Sequence, residues 1–147
     1  MTQLQDPPTN PNCIFCKIAA GDIPSHRLYE DDRVFAFLDI GPLSVGHCLV
    51  IPKAHYRTID QMPDVLAAAC MSVIPRLSRA VVAATGVAGW NVLQNNGEVA
   101  GQEVDHVHFH LIPRCDGDGL GFRWPAGKLD PDQAQELVKA ITERLGD

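Results

Sequence analysis

His106-Val107-His108-Phe109-His110-Leu111-Ile112-Pro113 alternates imidazole and apolar side chains before closing on an apolar pair and a proline. Alternation of this kind over a β-branched and aromatic run predicts a strand, here Val104 to Ile112, with the three imidazoles on one face and Val107, Phe109 and Leu111 on the other. Alternate side chains on a strand stand roughly 6.5 to 7 Å apart, so three rings would line about 13 Å of groove. That length suits a phosphorus centre with its leaving group. Neutral imidazole is a nucleophile near neutral pH, its cation binds phosphate, and either form moves protons. Burying three such rings without function would need three separate sets of hydrogen-bond partners.

Working outward, hydrophobic periodicity organises the remaining chain. Met1 to Asn12 is polar, carries prolines at 7, 8 and 11, and reads as a flexible extension. Apolar residues at 14, 15, 18 and 19 predict a short helix from Cys13 to Ala20, stopped by Gly21 and Pro24. His26 to Tyr29 and Arg33 to Leu38 flank Glu30-Asp31-Asp32 as a hairpin, and His47 to Ile51 is a further strand ended by Pro52. From Pro63 to Ala84 the apolar positions follow helical spacing, with Pro75 expected to kink the helix. Trp90 to Leu93 is another strand, Asp116 to Gly121 a loop, and Pro131 to Leu145 a closing helix. Strands joined by hairpins and loops rather than by regular helical crossovers predict an α+β domain: a five-stranded antiparallel sheet with a main helix and a C-terminal helix. Residues 13–147 form one domain in this reading.

With 147 residues, 46% of them apolar, the chain can bury one core. The formal net charge of −6, with no basic run, argues against nucleic acid or an anionic membrane as a partner. No leader-like start is visible, and no segment approaches the roughly 20 apolar residues of a membrane span. A cytoplasmic location follows as the expectation. Five cysteines, an odd number and mostly scattered, favour reduced thiols or metal ligands over disulfides.

The exception to the scatter is Cys13-Ile14-Phe15-Cys16. Two thiolates at this spacing can reach one metal, but a structural zinc takes four ligands and there is no second Cys-x-x-Cys, so the other two would be histidines. His47 and His106, each opening a predicted strand, are the candidates. Inert thiols and a redox pair are the alternatives, although the strand-helix context of a redox pair is missing. Ahead of the histidine string, Asn95 and the loop Gly97 to Gly101 could bring backbone N–H groups to a phosphate, with the Gln102 amide as a further donor.

The histidine string, together with Cys13-Ile14-Phe15-Cys16-Lys17-Ile18, Phe37-Leu38-Asp39-Ile40, Gly46-His47 through Pro52-Lys53-Ala54-His55, Asn95-Asn96-Gly97 and Gly101-Gln102, resembles the histidine triad (HIT) family, in its Hint-like nucleoside phosphoramidase branch. The likeness covers most of residues 13 to 115. It implies a nucleotidyl hydrolase or transferase that cleaves a purine nucleoside monophosphate from a leaving group, either as a phosphoramidase or as a dinucleoside polyphosphate hydrolase. It also implies a homodimer whose two sheets join into one of ten strands. Ile14, Phe15, Ile18 and Phe37 would form the slot for the base, with Ile40 beside them, and Asp39 would accept hydrogen bonds from the ribose. His108 would attack the α-phosphorus and form a covalent nucleotidyl-histidine. His110 would contact the phosphoryl oxygens, with Gln102 and the backbone of Gly101 to Glu103 assisting. Zinc-bearing members resemble this chain in using a Cys pair, the His of the Gly-His strand and the first His of the triad, which again points to Cys13, Cys16, His47 and His106. The zinc would be structural, and no organic cofactor is expected. His26 and His55 read as surface histidines. Two other readings stay open: a zinc-dependent hydrolase without a covalent intermediate, and a nucleotide-binding regulatory module that does not turn over.

One residue departs from the pattern. The branch commonly has serine or threonine after Gly-Gln, where this chain has Glu103. A carboxylate beside an anionic phosphorus centre repels it, which predicts slow turnover of simple nucleoside phosphoramidates at neutral pH.

Overall fold

The computed structural model describes residues 5–121 and 123–145, and Met1 to Leu4 of the expected extension lie outside the described residues. Chain order is α1 (Ile14–Ala20), β1 (Arg27–Glu30), β2 (Val34–Leu38), β3 (Cys48–Pro52), α2 (Asp64–Thr85), β4 (Gly89–Gln94), β5 (Phe109–Arg114) and α3 (Pro131–Leu145), with short 3-10 turns at Ile59–Gln61 and Glu98–Ala100. The five strands form one antiparallel sheet in the order β1-β2-β3-β5-β4.

Both sheet faces are used, and the two-residue repeat decides which side chain goes where. Val34 and Ala36 of β2, Cys48 and Val50 of β3, and Phe109 and Leu111 of β5 pack with Cys70, Val73 and Leu77 of α2. The intervening Phe35, Phe37, Leu49 and Ile51 pack with Phe15 and Ile18 of α1. His110, opposite Leu49 in the β3–β5 ladder, therefore stands on the α1 side. By length and apolar content α2 could cross a membrane, a segment the composition reading passed over. Its Leu66, Cys70, Val73, Leu77 and Val81 are buried in the core beside the sheet. The helix runs unbroken through Pro75. In contrast, α3 buries no residue, and Leu137, Val138, Ile141 and Leu145 are exposed.

The histidine strand is shorter at its start than the alternation predicts, beginning at Phe109 rather than Val104. Its partner β3 ends at Pro52, which has no N–H to extend the ladder. Past that point the chain is held otherwise: Val107 N–H donates to the Tyr56 carbonyl at 2.8 Å, and the His106 ring takes the Pro52 carbonyl. His106 and His108 thus sit on an irregular segment fixed by hydrogen bonds to specific partners.

Candidate active site and metal centre

Each ring in the histidine cluster has one nitrogen committed to a backbone group or to a neighbouring ring, and those commitments set the tautomers. His108 Nδ1–H donates to the His106 carbonyl at 2.7 Å, which leaves the lone pair on Nε2. His47 Nδ1 accepts the Leu43 N–H at 3.0 Å, so its proton is on Nε2, 2.9 Å from His110 Nδ1. His110 then accepts at Nδ1 and carries its proton on Nε2. A carbonyl and an amide thus leave an Nε2 lone pair on His108 and an Nε2–H on His110, with the two ring centroids 4.9 Å apart.

Both rings line a cavity of about 210 Å³ together with Asp39, Gly41, Leu43, His47, Leu93, Asn95, Gly101, Glu103 and Ile112. Burial holds the rings neutral. His110 is pushed down to about 4 by burial and by the neighbouring His108 and His47 rings. His108 is also lowered by burial, against the opposing pull of its carbonyl partner and of the Asp39 and Glu103 carboxylates. His47 is lowered by burial too, with Asp39 opposing. Asp39 is fixed in the lining: Oδ1 accepts the Gly41 N–H at 2.8 Å and Oδ2 stands 3.6 Å from His47 Nε2.

Asp39, His47 and His110 cluster closely enough to suggest a cation site. The Leu43 amide argues otherwise. To bind a metal, His47 would have to shed the Nε2 proton and place one on Nδ1, facing the Leu43 N–H donor. The trio is a hydrogen-bond relay ending on His110.

A second cluster joins Cys13, Cys16, His55 and His106. His106 is fully buried, and its Nε2–H donates to the Pro52 carbonyl at 2.8 Å, which leaves the Nδ1 lone pair facing the cysteines. Nδ1 lies 3.4 Å from Cys13 Sγ, 3.5 Å from Cys16 Sγ and 3.2 Å from His55 Nδ1, and Cys16 Sγ is 3.4 Å from His55 Nδ1. Bond lengths of about 2.3 Å to sulfur and about 2.05 Å to nitrogen put tetrahedral S···N edges near ~3.5 Å and N···N edges near ~3.3 Å. The four donors match the first shell of a structural zinc in kind and in spacing. Burial pushes the Cys16 thiol up and holds His106 down at about 4, so a cation here would displace the thiol proton and meet an unprotonated ring.

This arrangement corrects the ligand set expected from the sequence: His55, read as a surface residue, takes the place of His47. Antiparallel pairing is the reason. Leu49 faces His110 and Val50 faces Phe109, so the start of β3 lies beside the far part of β5 and its end beside His106. His47 precedes β3 and meets His110, whereas His55 follows β3 and meets His106 and the cysteines. The register rule was available in the sequence once both strands had been predicted antiparallel.

Gln102 is a second correction. Its Nε2 donates to the Arg57 and Val104 carbonyls at 2.7 and 3.0 Å, and its Oε1 accepts the Gly97 N–H at 2.7 Å. A side chain so fully committed clamps the loop and has nothing left for a phosphate. The Gly101 and Gln102 N–H groups are likewise spent, on the Glu98 and Gly97 carbonyls. Glu103 N–H has no partner among the described residues. Gly101 needs its positive φ of 91° to turn the chain there.

The expected base-slot residues divide. Phe15, Ile18 and Phe37 are buried in the core beneath α1, and the Phe15 ring stands edge-on to His108 with centroids 5.1 Å apart. Ile14 and Ile40 are exposed. The apolar wall of the cavity is Leu43, Leu93 and Ile112, none of which the sequence reading assigned to the site.

Residues 20–117 match the HIT domain. The chain belongs to the HIT family. It is 44% identical over 146 residues to the adenosine 5′-monophosphoramidase of Saccharomyces cerevisiae, covering 98% of this chain and 90% of that one. The crystal structure of a HIT family member from Bacillus subtilis superposes with a TM-score of 0.86 at 45% identity, over 92% of this chain and 99% of the other. A zinc-bound histidine triad family protein from Mycobacterium smegmatis gives a TM-score of 0.71 at 37% identity, over 91% and 95%. Relatives of this HIT protein are named for hydrolysis of adenosine nucleotides, as adenosine 5′-monophosphoramidases and an adenylylsulfatase.

Proposed function

We propose that this HIT protein hydrolyses a purine nucleoside monophosphate derivative at the α-phosphorus through a covalent nucleotidyl-His108 intermediate. The observation that carries the reading is the 2.7 Å hydrogen bond from His108 Nδ1 to the His106 carbonyl, which presents the Nε2 lone pair beside the proton of His110 Nε2. His108 Nε2 attacks phosphorus, and the leaving group departs with the bond pair. His110 Nε2–H and the Glu103 N–H stabilise the charge on the phosphoryl oxygens, donors fixed in advance of the reaction. Water then attacks the nucleotidyl-imidazole, releases nucleoside monophosphate and restores the ring. Asp39, beside His47 in the cavity lining, takes the ribose hydroxyls with its remaining acceptor capacity. The relay from Leu43 N–H through His47 keeps His110 in the donor tautomer.

Cys13, Cys16, His55 and His106 would hold one zinc. The chemistry it supplies is cross-linking of α1 to the segment before β5, since four protein ligands leave no open position for water. With its Nε2 on Pro52 and its carbonyl on His108, the His106 segment would couple that cross-link to the nucleophile. A homodimer is supported by the open edge strand β4, whose Trp90 and Val92 are both partly exposed, and by the apolar stripe on α3. Analytical ultracentrifugation at micromolar concentration should give twice the chain mass. Five free cysteines suit the reducing conditions of the cytoplasm.

The test is a turnover panel of adenosine and guanosine phosphoramidates, dinucleoside polyphosphates and acyl-adenylates. Release of nucleoside monophosphate from at least one class, lost in His108→Ala while nucleotide binding persists, is the expected result. Undiminished kcat in His108→Ala would overturn it.

A further inference from the structure

Two cavities meet at Gly101 and Glu103. The first is the catalytic cavity, which Asp39, Gly41 and the His108 and His110 rings also line. The second, about 530 Å³, is polar and adds Arg57, Glu98, Gln102 and Asp105 to its lining. Of its charged groups, Arg57 lies 3.5 Å from Asp105, so those two offset each other. Glu98 and Glu103 make no ion pair among the described residues. At Glu103 the catalytic cavity therefore adjoins a negatively charged recess. Glu103 is near enough to the nucleophile for its carboxylate to act on the His108 ring.

Building on the proposed nucleotidyl transfer, we propose that Glu103 is a specificity-determining residue that selects leaving groups carrying a positive charge, such as an amine with a second ammonium or guanidinium, over anionic ones such as polyphosphates or carboxylated amines. With the nucleoside on Asp39 and phosphorus between His108 and His110, the leaving group extends toward Glu103. His108 Nε2 forms its bond to phosphorus as the phosphorus–nitrogen bond breaks. The amine nitrogen keeps that electron pair and takes a proton from water at the open mouth. The second, distal charge stays protonated throughout and is what Glu103 reads, with Glu98 behind it. An anionic leaving group would meet like charge along the same path.

The experiment compares three adenosine phosphoramidates whose amines have the same chain length: a neutral alkylamine, a diamine joined through one end, and an amino acid joined through nitrogen with a free carboxylate. In wild type, kcat/KM for the diamine derivative should exceed that for the carboxylate derivative by at least tenfold, as expected for unit charges a few ångströms apart at a wet protein surface. Glu103→Gln should cut that ratio at least threefold and Glu103→Lys should invert it. Raising the salt to about 0.5 M should compress the wild-type ratio, because the recess is open to solvent. Equal ratios in wild type and Glu103→Gln, with all three substrates turned over, would overturn the selectivity and leave the hydrolase reading standing. No turnover of any of the three, with adenosine monophosphate still bound, would overturn both.

Discussion

Replacing His55 by alanine removes one of four donors around the Cys13–Cys16–His106 cluster, while replacing His47 leaves that cluster whole. The two variants therefore separate the structural ligand set from the one the sequence suggested. Structural zinc sites contribute roughly 10–16 kcal/mol of binding free energy from four ligands, about 3 kcal/mol or more for each, so loss of one ligand should weaken the metal at least ~100-fold. Because metal bound to the native state alone stabilises it by mass action, folding stability should fall by a similar amount, about 3 kcal/mol. For a chain of this size, at roughly 2–4 °C per kcal/mol, Tm should drop by about 10 °C. The assay is zinc by elemental mass spectrometry on purified protein, paired with thermal melts with and without chelator. Wild type and His47→Ala should carry about one zinc per chain and lose Tm on chelation. His55→Ala should be metal-poor, with a low Tm that chelator hardly changes. A metal-replete His55→Ala beside a metal-free His47→Ala would refute the register argument.

Three further outcomes follow from the same geometry. His110 is held at about 4 against an ordinary 6.5, so the neutral ring belongs to the fold and protonation favours the unfolded chain. Its contribution, up to roughly 3 kcal/mol, is complete above about pH 6.5 and lost as pH falls toward 4; urea midpoints should drop over that window, and less so in His110→Asn, whereas parallel curves would contradict it. His47→Ala should lower kcat by about 10- to 100-fold with little change in KM, since His110 loses the neighbour that sets its tautomer; an unchanged kcat in steady-state assays would remove His47 from the relay. Gly46→Ala should cost roughly 2–4 kcal/mol in denaturant unfolding: φ there is 91°, and a Cβ would lie 2.9 Å from Thr85 Cγ2, a side chain held by its own hydrogen bond to Val81. A cost under about 0.5 kcal/mol would mean the α2–β3 packing gives more readily than that bond implies.

Periodicity carried the centre of the sheet because β2 and β3 each have one face on α2 and the other toward α1, an arrangement the two-residue repeat records directly. The histidine string likewise marked His108 and His110, which line one cavity. The start of β5 did not follow, since whether Val104 to His108 joined a ladder depended on where β3 stopped, and Pro52 stopped it. His55 was hidden because its place beside Cys16 and His106 arises from the antiparallel register of two strands distant in sequence, and nothing near it in the chain marks it. Gln102 misled through its chemistry. An amide next to a glycine loop can serve phosphate or backbone equally well, and only the positions of the Gly97, Arg57 and Val104 main chain decide between them. Leu43 carried no signal at all, for it acts through its amide on His47.

The covalent intermediate is the centre of the account, and the stereochemical course at phosphorus tests it most directly. A nucleoside phosphoramidothioate, chiral at the α-phosphorus, is hydrolysed in water enriched in heavy oxygen, and the configuration of the labelled thiophosphate product is read by phosphorus NMR. Attack by His108 followed by attack of water comprises two in-line displacements, each inverting the centre, and predicts net retention. Net inversion would show that water reaches phosphorus in a single step, and would contradict the role given to His108.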